Sequence, residues 1–281
     1  MAKLPILTNT LDMVDAQIEA DQGDWRRAHL GASVVGKKCE RAVWYSFRWH
    51  TAPEFSGRIL RLFRRGQAEE AVIIEDFRNA GITVSEGPRP GEQWKFRDCD
   101  GHFGGSMDGK ALGLALDPDN WHVLEFKTHN EKSYKHLKKH GVEKSKPEHF
   151  AQMQVYMHMS GIDRAAYVAV NKNDDYRYME RVAYDRYYAG ELIEKAKRVI
   201  FAHQPPPRIS ERPDSYLCKW NDDYRCDHYD VCHQGEVPEK NCRTCQSAVP
   251  VSAGNWKCKW FNNKILSEPE QKTGCKEHSP F

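Results

Sequence analysis

Three charged side chains in two short stretches are the residues best suited to chemistry. Asp108 lies in the glycine-flanked run Gly104-Gly105-Ser106-Met107-Asp108-Gly109, and Leu124-Glu125-Phe126-Lys127 follows, with Glu125 seventeen positions after Asp108. Successive side chains of a strand alternate faces, so Glu125 and Lys127 point one way while Leu124 and Phe126 point into a core. Two carboxylates converging from neighbouring strands make a site for a hard cation, and the lysine adds a charged helper. That set suits metal-assisted cleavage of a phosphodiester. A lone Glu-x-Lys is common on surface strands, so the set gains meaning only from the elements around it.

Those elements are legible in outline. Residues 8–30 carry a mixed helical pattern with Leu11, Val14 and Ile18 on one face. A second helix, capped by Ser33 and carrying Cys39 and Arg41, is expected next. The clearest helix is 57–80, where Ile59, Leu60, Leu62, Phe63, Val72, Ile73 and Phe77 recur at helical spacing and Gly81 stands where a helix ends. Its first half is basic (Arg58, Arg61, Arg64, Arg65), and Glu69 and Glu70 follow Gly66. Acids on such a helix usually lie on a solvated face; the functional reading turns one of them toward the metal. Residues 82–84, 94–97, 104–110 and 121–128 read as strands. Residues 130–146 then carry a local surplus of four positive charges. Lys132, Lys135, Lys138 and Lys139 from that run, with Arg61 and Arg65, are the candidate contacts to a phosphate backbone. Pro147 opens a helix on which Gln152 and Tyr156, four apart, share a face. A hairpin over 165–184 and an amphipathic helix over 185–202 precede the linker Pro205-Pro206-Pro207.

The whole chain is 281 residues, long enough for one large domain or a domain with an appendage. Charged residues make up 29% and the net charge is only +2, so any positive surface for nucleic acid is local. No apolar run approaches the roughly 20 residues that a membrane span needs. The N-terminus has no hydrophobic signal core, which points to the cytoplasm. Seven of the nine cysteines fall between Cys218 and Cys275. In a cytoplasmic chain such a cluster reads as metal ligation rather than as a disulfide scaffold.

Taken in order, Gly66-x-x-Glu69-Glu70, Ser106-Met107-Asp108-Gly109, Glu125-Phe126-Lys127 and Gln152-x-Gln154-x-Tyr156 resemble the PD-(D/E)XK nuclease superfamily. The likeness is greatest to its RecB-like and YqaJ-like branch, which includes phage recombination exonucleases such as that of phage lambda. It covers about residues 33–232. Met107 stands where many members have proline. The resemblance implies an α/β fold, a restriction-endonuclease-like mixed sheet flanked by helices, and a Mg²⁺- or Mn²⁺-dependent deoxyribonuclease. Asp108 and Glu125 then bind the metal, with the Phe126 carbonyl as a further ligand. Lys127 orients or activates the attacking water, and Gln152 and Tyr156 help to place Lys127 and the DNA. Glu70 matches the branch's upstream helix acid by its spacing from Gly66, with Glu69 held open. The implied role is exonuclease action in phage or bacterial recombination or repair, on DNA, in the bacterial or phage-infected host cytoplasm. A single-strand annealing or recombination protein is a further candidate partner. A structure-specific or single-strand endonuclease of the same fold, or a non-catalytic DNA-binding metalloprotein, are the alternatives.

The cysteines form two sets. Cys39 with Cys218, Cys226 and Cys232 resembles the iron–sulfur nucleases of the same superfamily, where one early and three late cysteines hold a [4Fe–4S] cluster. Those relatives space the late cysteines as Cys-x2-Cys-x5-Cys, whereas Cys218 and Cys226 are eight apart, and zinc or inert thiols compete as readings. Cys242-x2-Cys245, Cys258 and Cys275, with His278 nearby, read as a tetrahedral zinc site by ligand type alone. Cys275 or His278 supplies the fourth ligand. Cys99 belongs to neither set and reads as structural. The expected organisation is a nuclease core over 1–207, an iron–sulfur segment over 208–236 packed on it, and a zinc-binding module over 237–281, with Trp220, Trp256 and Trp260 of this cysteine-rich tail covering metal-centred mini-cores.

Overall fold

The structure, a computed structural model, describes residues 9–115, 117–219 and 225–281. Helix α1 (Thr10–Ala20) starts at Asn9, whose side chain accepts from the Leu11 amide. Its apolar face is not buried: Leu11 and Val14 are exposed, with no second apolar surface opposing them among the described residues. Polar contacts hold α1 instead. Glu19 accepts from the Gly57 amide at 2.6 Å, and Asp15 pairs with Arg61. Next come β1 (Leu30–Gly31), α2 (Ala32–Val35) and α3 (Glu40–Phe47). The single Ser33-capped helix is thus corrected to two short ones. Gly36 lies so close to α6 (Pro147–Ser160) that an added Cβ would stand 2.7 Å from that of Ala151. The chain breaks there, and Cys39 sits at the extended N-cap of α3.

Helix α4 (Gly57–Asn79) is followed by Gly81 at φ +83°, a conformation glycine adopts without strain. Beyond it run β2 (Thr83–Ser85), β3 (Trp94–Asp98), β4 (Phe103–Met107), β5 (Gly109–Leu112) and β6 (His122–His129). Helix α5 (Glu131–Ser145), kinked at Gly141, and α6 form the crossover to β7 (Arg164–Asn171), which pairs parallel with β6. Then β8 (Arg177–Ala183) and α7 (Arg186–Ile200) complete this part. The main sheet has the order β2-β5-β6-β7-β8, with every pairing but β6–β7 antiparallel. A smaller sheet has the order β1-β4-β3. The architecture is therefore α/β, with mixed sheets flanked by helices.

Residues 104–110, which read as one strand, are two strands in two sheets. Met107 ends the pairing with β3, Gly109 begins the pairing with β6, and Asp108 lies at the break. The main sheet is covered on both faces, so its central strand alternates between two cores. Leu124 and Phe126 pack under Ile73 and Ile74 of α4, while Val123 faces the larger core with Met153, Tyr156 and Leu137.

The tail contains α8 (Tyr216–Lys219), a π-helical segment at Asp230–Gln234, a three-stranded sheet of β9 (Ala248–Pro250), β10 (Trp256–Cys258) and β11 (Lys264–Leu266), and α9 (Glu268–Thr273). Trp256 is fully buried, with its ring against Phe47 and His102, so the tail's sheet shares the larger core. Trp260 is 62% exposed, yet it lines the small cavity among Cys242, Cys245, Cys258 and Cys275. Trp220 lies outside the described residues. Among the described residues no helix is long and apolar enough to cross a membrane.

Candidate active site

The strand break aims Asp108 at β6. Because Gly109 pairs with Leu124, Asp108 stands opposite Glu125 just beyond the ladder. Its Oδ2 accepts from the Phe126 amide at 2.9 Å. Glu125 is fully buried, with one oxygen on the Lys127 ammonium and the other, Oε2, buried without a partner. Lys127 Nζ also donates to the Phe126 carbonyl at 3.1 Å. Helix α4 brings the third acid. Glu70, Ile73, Ile74 and Phe77 form one helical stripe, and packing of its apolar part under the sheet points Glu70 at the same place.

The electrostatics record this crowding. Burial pushes Glu125 up to about 8, and repulsion from Asp108 and Glu70 adds to it against the pull of Lys127. Burial likewise raises Glu70 to about 7, with Asp108 repelling it and Lys127 opposing. Burial works against the charge on Lys127, but Glu125, Asp108 and Glu70 outweigh it and hold the ammonium above the usual lysine range. Of the two helix acids it is Glu70, on the stripe with Ile73, Ile74 and Phe77, that α4 brings to Asp108 and Lys127.

Helix α6 closes the other side. Gln152 and Tyr156 are both buried, and the Tyr156 hydroxyl donates to the Ser106 carbonyl at 2.7 Å, bracing the strand that ends at Asp108. Burial, then Glu125 and Asp108, push the Tyr156 phenol above its usual range. Gly105 is required here, because a Cβ at that position would lie 2.5 Å from the Tyr156 hydroxyl. Gln154 does different work: it donates to the Ala183 carbonyl and accepts from the Asp185 amide, tying α6 to α7.

The basic residues are placed less uniformly. Lys132, Lys135, Lys138 and Lys139 lie exposed on α5, with Lys135 paired to Glu131 at 2.5 Å. Arg61 is committed to Asp15, and Arg65 donates to the Lys172 carbonyl at 3.0 Å.

Two groups of residues escaped the sequence reading. His129 continues the Glu125–Lys127 face of β6. Its Nε2 and the Nδ1 of His149 both meet the Tyr167 hydroxyl at 2.8 Å, and Ser133 reaches His129 Nδ1 at 3.0 Å. Burial, reinforced by Lys146 and Lys127, lowers His129 to about 4, and burial with Lys127 next to it takes His149 well below the usual histidine range. Spacing was the available signal: His129 is two residues beyond Lys127 on the strand and His149 one turn before Gln152 on the helix. The second group is a trio of rings, Trp25, Phe55 and Phe63, in mutual edge-on contact beside the basic half of α4. Phe63 and Trp25 are about two-fifths exposed. Phe63 is two turns before Glu70, roughly 10 Å along one helix face.

Each cysteine set gathers around one small cavity. Cys39, Cys218, Cys226 and Cys232 line the first, with His228. Cys242, Cys245, Cys258 and Cys275 line the second, with His278. All nine cysteines are free thiols. Cys242 donates to the Glu270 carbonyl and Cys218 to that of Ser210, and among the described residues no three acid, histidine or cysteine side chains stand at finished metal-ligand spacing. The donors are thus neighbours without being drawn in to a common point. Cys99 is apart from both sets, buried in the larger core, where burial raises its thiol to about 12.

No family model matches this chain, and no curated protein does. Among solved structures it is similar to an alkaline exonuclease (LHK-Exo) from Laribacter hongkongensis, at 19% identity and a TM-score of 0.43 over 66% of this chain and 90% of that one. The same enzyme in complex with dAMP gives 18% and 0.41 over 67% and 90%. A structure described as SSO0001 gives 13% and 0.41 over 79% and 96%.

Proposed function

We propose that this protein is a divalent-metal-dependent deoxyribonuclease, an exonuclease of phage or bacterial recombination and repair. One observation carries the reading. Glu125 is a fully buried carboxylate with an unpartnered oxygen, crowded by Asp108 and Glu70, with a single lysine to answer all three. Buried anions without enough positive charge call for a cation, and oxygen donors select a hard one. Mg²⁺ or Mn²⁺ fits, held by Asp108, Glu125 and the Phe126 carbonyl. Such an ion lowers the pKa of a bound water and offsets charge on the leaving oxygen. Lys127 orients the attacking water and screens charge gathering on the phosphate. Glu70, raised to near neutrality, is suited to hold or pass a proton. Tyr156 fixes the strand that presents Asp108, and Gln152 beside it helps to place Lys127 and the DNA. The exposed α5 lysines bind backbone phosphates, Arg61 and Arg65 join them by exchanging Asp15 and the Lys172 carbonyl for phosphate, and the Trp25–Phe55–Phe63 rings offer faces for the bases of a single-stranded end.

End-labelled linear DNA and closed circular DNA, each with Mg²⁺, Mn²⁺ or chelator, test the reading. Metal-dependent loss of the linear substrate alone is expected, and Lys127→Ala should slow it at least about a hundredfold, the scale of losing a positioned catalytic group. Degradation by that variant at the wild-type rate would overturn the assignment; cutting of circles would make the enzyme an endonuclease. A single-strand annealing or recombination protein is the partner such an exonuclease would serve, and co-purification from the host tests it.

The first cysteine cavity suits a [4Fe–4S] cluster, with thiols from Cys39, Cys218, Cys226 and Cys232. The second suits zinc. There Thr244 already engages His278 Nε2 at 2.9 Å, which favours Cys275 as the fourth ligand. Anaerobic purification with a visible spectrum and metal analysis tests both; a colourless protein with two zinc ions would remove the cluster. The proposed domain limits of 1–207, 208–236 and 237–281 stand with these centres.

A further inference from the structure

Tyr167 is the register partner of Glu125 on β7, which runs parallel to β6, so the two side chains share a face of the sheet. It is fully buried, and its hydroxyl meets two imidazoles, His129 Nε2 and His149 Nδ1, each at 2.8 Å. A hydroxyl has one hydrogen to give, so it serves both rings only when one presents an N–H and the other a lone pair. Ser133 holds His129 from its far side, at Nδ1, at 3.0 Å. The clamp is anchored in three elements besides β7: His129 ends β6, His149 lies in the first turn of α6, and Ser133 in the first turn of α5. A phenol gripped from two sides by rings on separate elements is left one orientation. Burial, then the Glu125 carboxylate beside it, hold the phenol above its usual range, so it stays a neutral hydroxyl.

That orientation runs the ring past Lys127. Glu125, beside which Tyr167 starts, and His129, which its hydroxyl reaches, are about 13 Å apart along the strand. The two side chains close that distance by leaning toward each other. The phenol therefore crosses Ala169, and Ala169 is the register partner of Lys127. The small methyl of Ala169 leaves room for the ring, and the ring becomes the β7-side wall of the lysine's stem. On the α6 side the next position of the stripe after His149 is Gln152.

Such a wall matters because of what the ammonium holds. Its partners are Glu125 and the Phe126 carbonyl, the latter at 3.1 Å. Both are groups that the nuclease reading gives to the divalent cation. An ion that takes them leaves the ammonium to water and phosphate, and the reach of a flexible four-carbon stem is then set by what encloses it. We propose that Tyr167, clamped at its hydroxyl by His129 and His149, is a positioning residue for Lys127: its ring keeps the lysine extended toward the metal site after the ion has taken the ammonium's partners. This role rests on the nuclease reading of the site.

The test compares wild type, Tyr167→Phe, Lys127→Ala and the double variant as full chains. Two quantities are read: cleavage of end-labelled linear DNA with Mg²⁺, and labelling of individual lysines by an amine reagent, followed by peptide mass with Mg²⁺ and with chelator. Tyr167→Phe keeps the ring and releases it from the clamp. Its kcat should fall about tenfold or more, within the cost of a group misplaced by an ångström, while KM changes by less than about threefold. In the Lys127→Ala background the same change should alter kcat by less than about twofold, because the group it positions is gone. With Mg²⁺, Lys127 should be labelled at least about threefold faster in Tyr167→Phe than in wild type, while the exposed Lys132, Lys138 and Lys139 label alike in both. A kcat that falls equally in both backgrounds makes Tyr167 a packing residue and overturns the inference, as does a Lys127 labelled no faster. If Tyr167→Phe does not fold, His149→Gln, which opens one side of the clamp at a half-buried position, goes through the same comparison with the same outcomes deciding. Wild-type protein without metal-dependent cleavage defeats the nuclease reading and the inference with it, whereas either overturning result leaves that reading standing.

Discussion

Glu125 offers the sharpest test of the active-site electrostatics. Replacing it with glutamine keeps the shape and removes the charge. In the folded chain burial holds its carboxyl up near 8, against an ordinary value of 4.5. The folded state therefore binds this proton more tightly than the unfolded chain does. The stability that the proton brings is complete below about pH 4.5 and is lost as the pH climbs through about 8. A shift of that size sets a ceiling of about 5 kcal/mol at 1.36 kcal/mol per pH unit. The ion pair with Lys127 is lost with the charge, and the site relaxes, so about 1–3 kcal/mol is expected at high pH. In chelator at pH 8.5, Glu125→Gln should therefore be more stable than wild type to urea, and at pH 5 the two should nearly coincide. The same variant should lose metal-dependent cleavage of DNA. A wild-type stability that is flat between pH 5 and 8.5, or a variant that is less stable than wild type at pH 8.5, would refute the reasoning.

Other consequences follow from single contacts. Gly105→Ala drives a methyl against the Tyr156 hydroxyl, so a loss of about 1–3 kcal/mol in urea denaturation is expected, with slower cleavage because the Asp108 strand shifts. Tyr167→Phe removes the hydroxyl between His129 and His149, leaving one buried and one half-buried imidazole short of a partner, and should lower stability by about 1–3 kcal/mol. The double variant Lys138→Ala, Lys139→Ala should weaken DNA binding alike for all sequences and flatten the slope of log affinity against log salt by about 2. Trp25→Ala should weaken binding of single-stranded oligonucleotides, measured in chelator, more than binding of blunt duplexes, by about 1–3 kcal/mol per lost stacking face.

Much of the scaffold was legible because its signals are local. The 57–80 helix ends one residue early, the proline-opened helix begins at Pro147, and β6, β7 and β8 fall within a residue or two of the patterns that announce them. Alternation along β6 put Leu124 and Phe126 on one face and Glu125 and Lys127 on the other, and spacing put Gln152 beside Tyr156. What local signals missed depends on partners far along the chain. The α1 stripe looks like a core face, but among the described residues nothing apolar comes to meet it. The helix expected from Ser33 is interrupted by the close approach of Ala151, more than a hundred residues away. Trp256 and Trp260 look alike in sequence, yet one is enclosed by Phe47 and His102 and the other lies on the surface.

The sequence by itself determined which side chains share a strand or helix face, because those periods are properties of the backbone: Glu125 with Lys127, Glu70 with Ile73, Gln152 with Tyr156. It also determined the number and chemical type of the cysteines. Tertiary structure alone decided that residues 104–110 divide between two sheets at Asp108, which sets that carboxylate opposite Glu125 rather than along an unbroken strand. It alone decided that both faces of the main sheet are covered, and hence that Glu125 is dry, raised in pKa and left with one oxygen unpartnered among the described residues. Burial of a charge is a sum over everything packed around it, and no stretch of sequence carries that sum. The same holds for Arg48, an ordinary basic residue in the chain whose guanidinium is enclosed in the core by Trp44, Trp256 and Phe281.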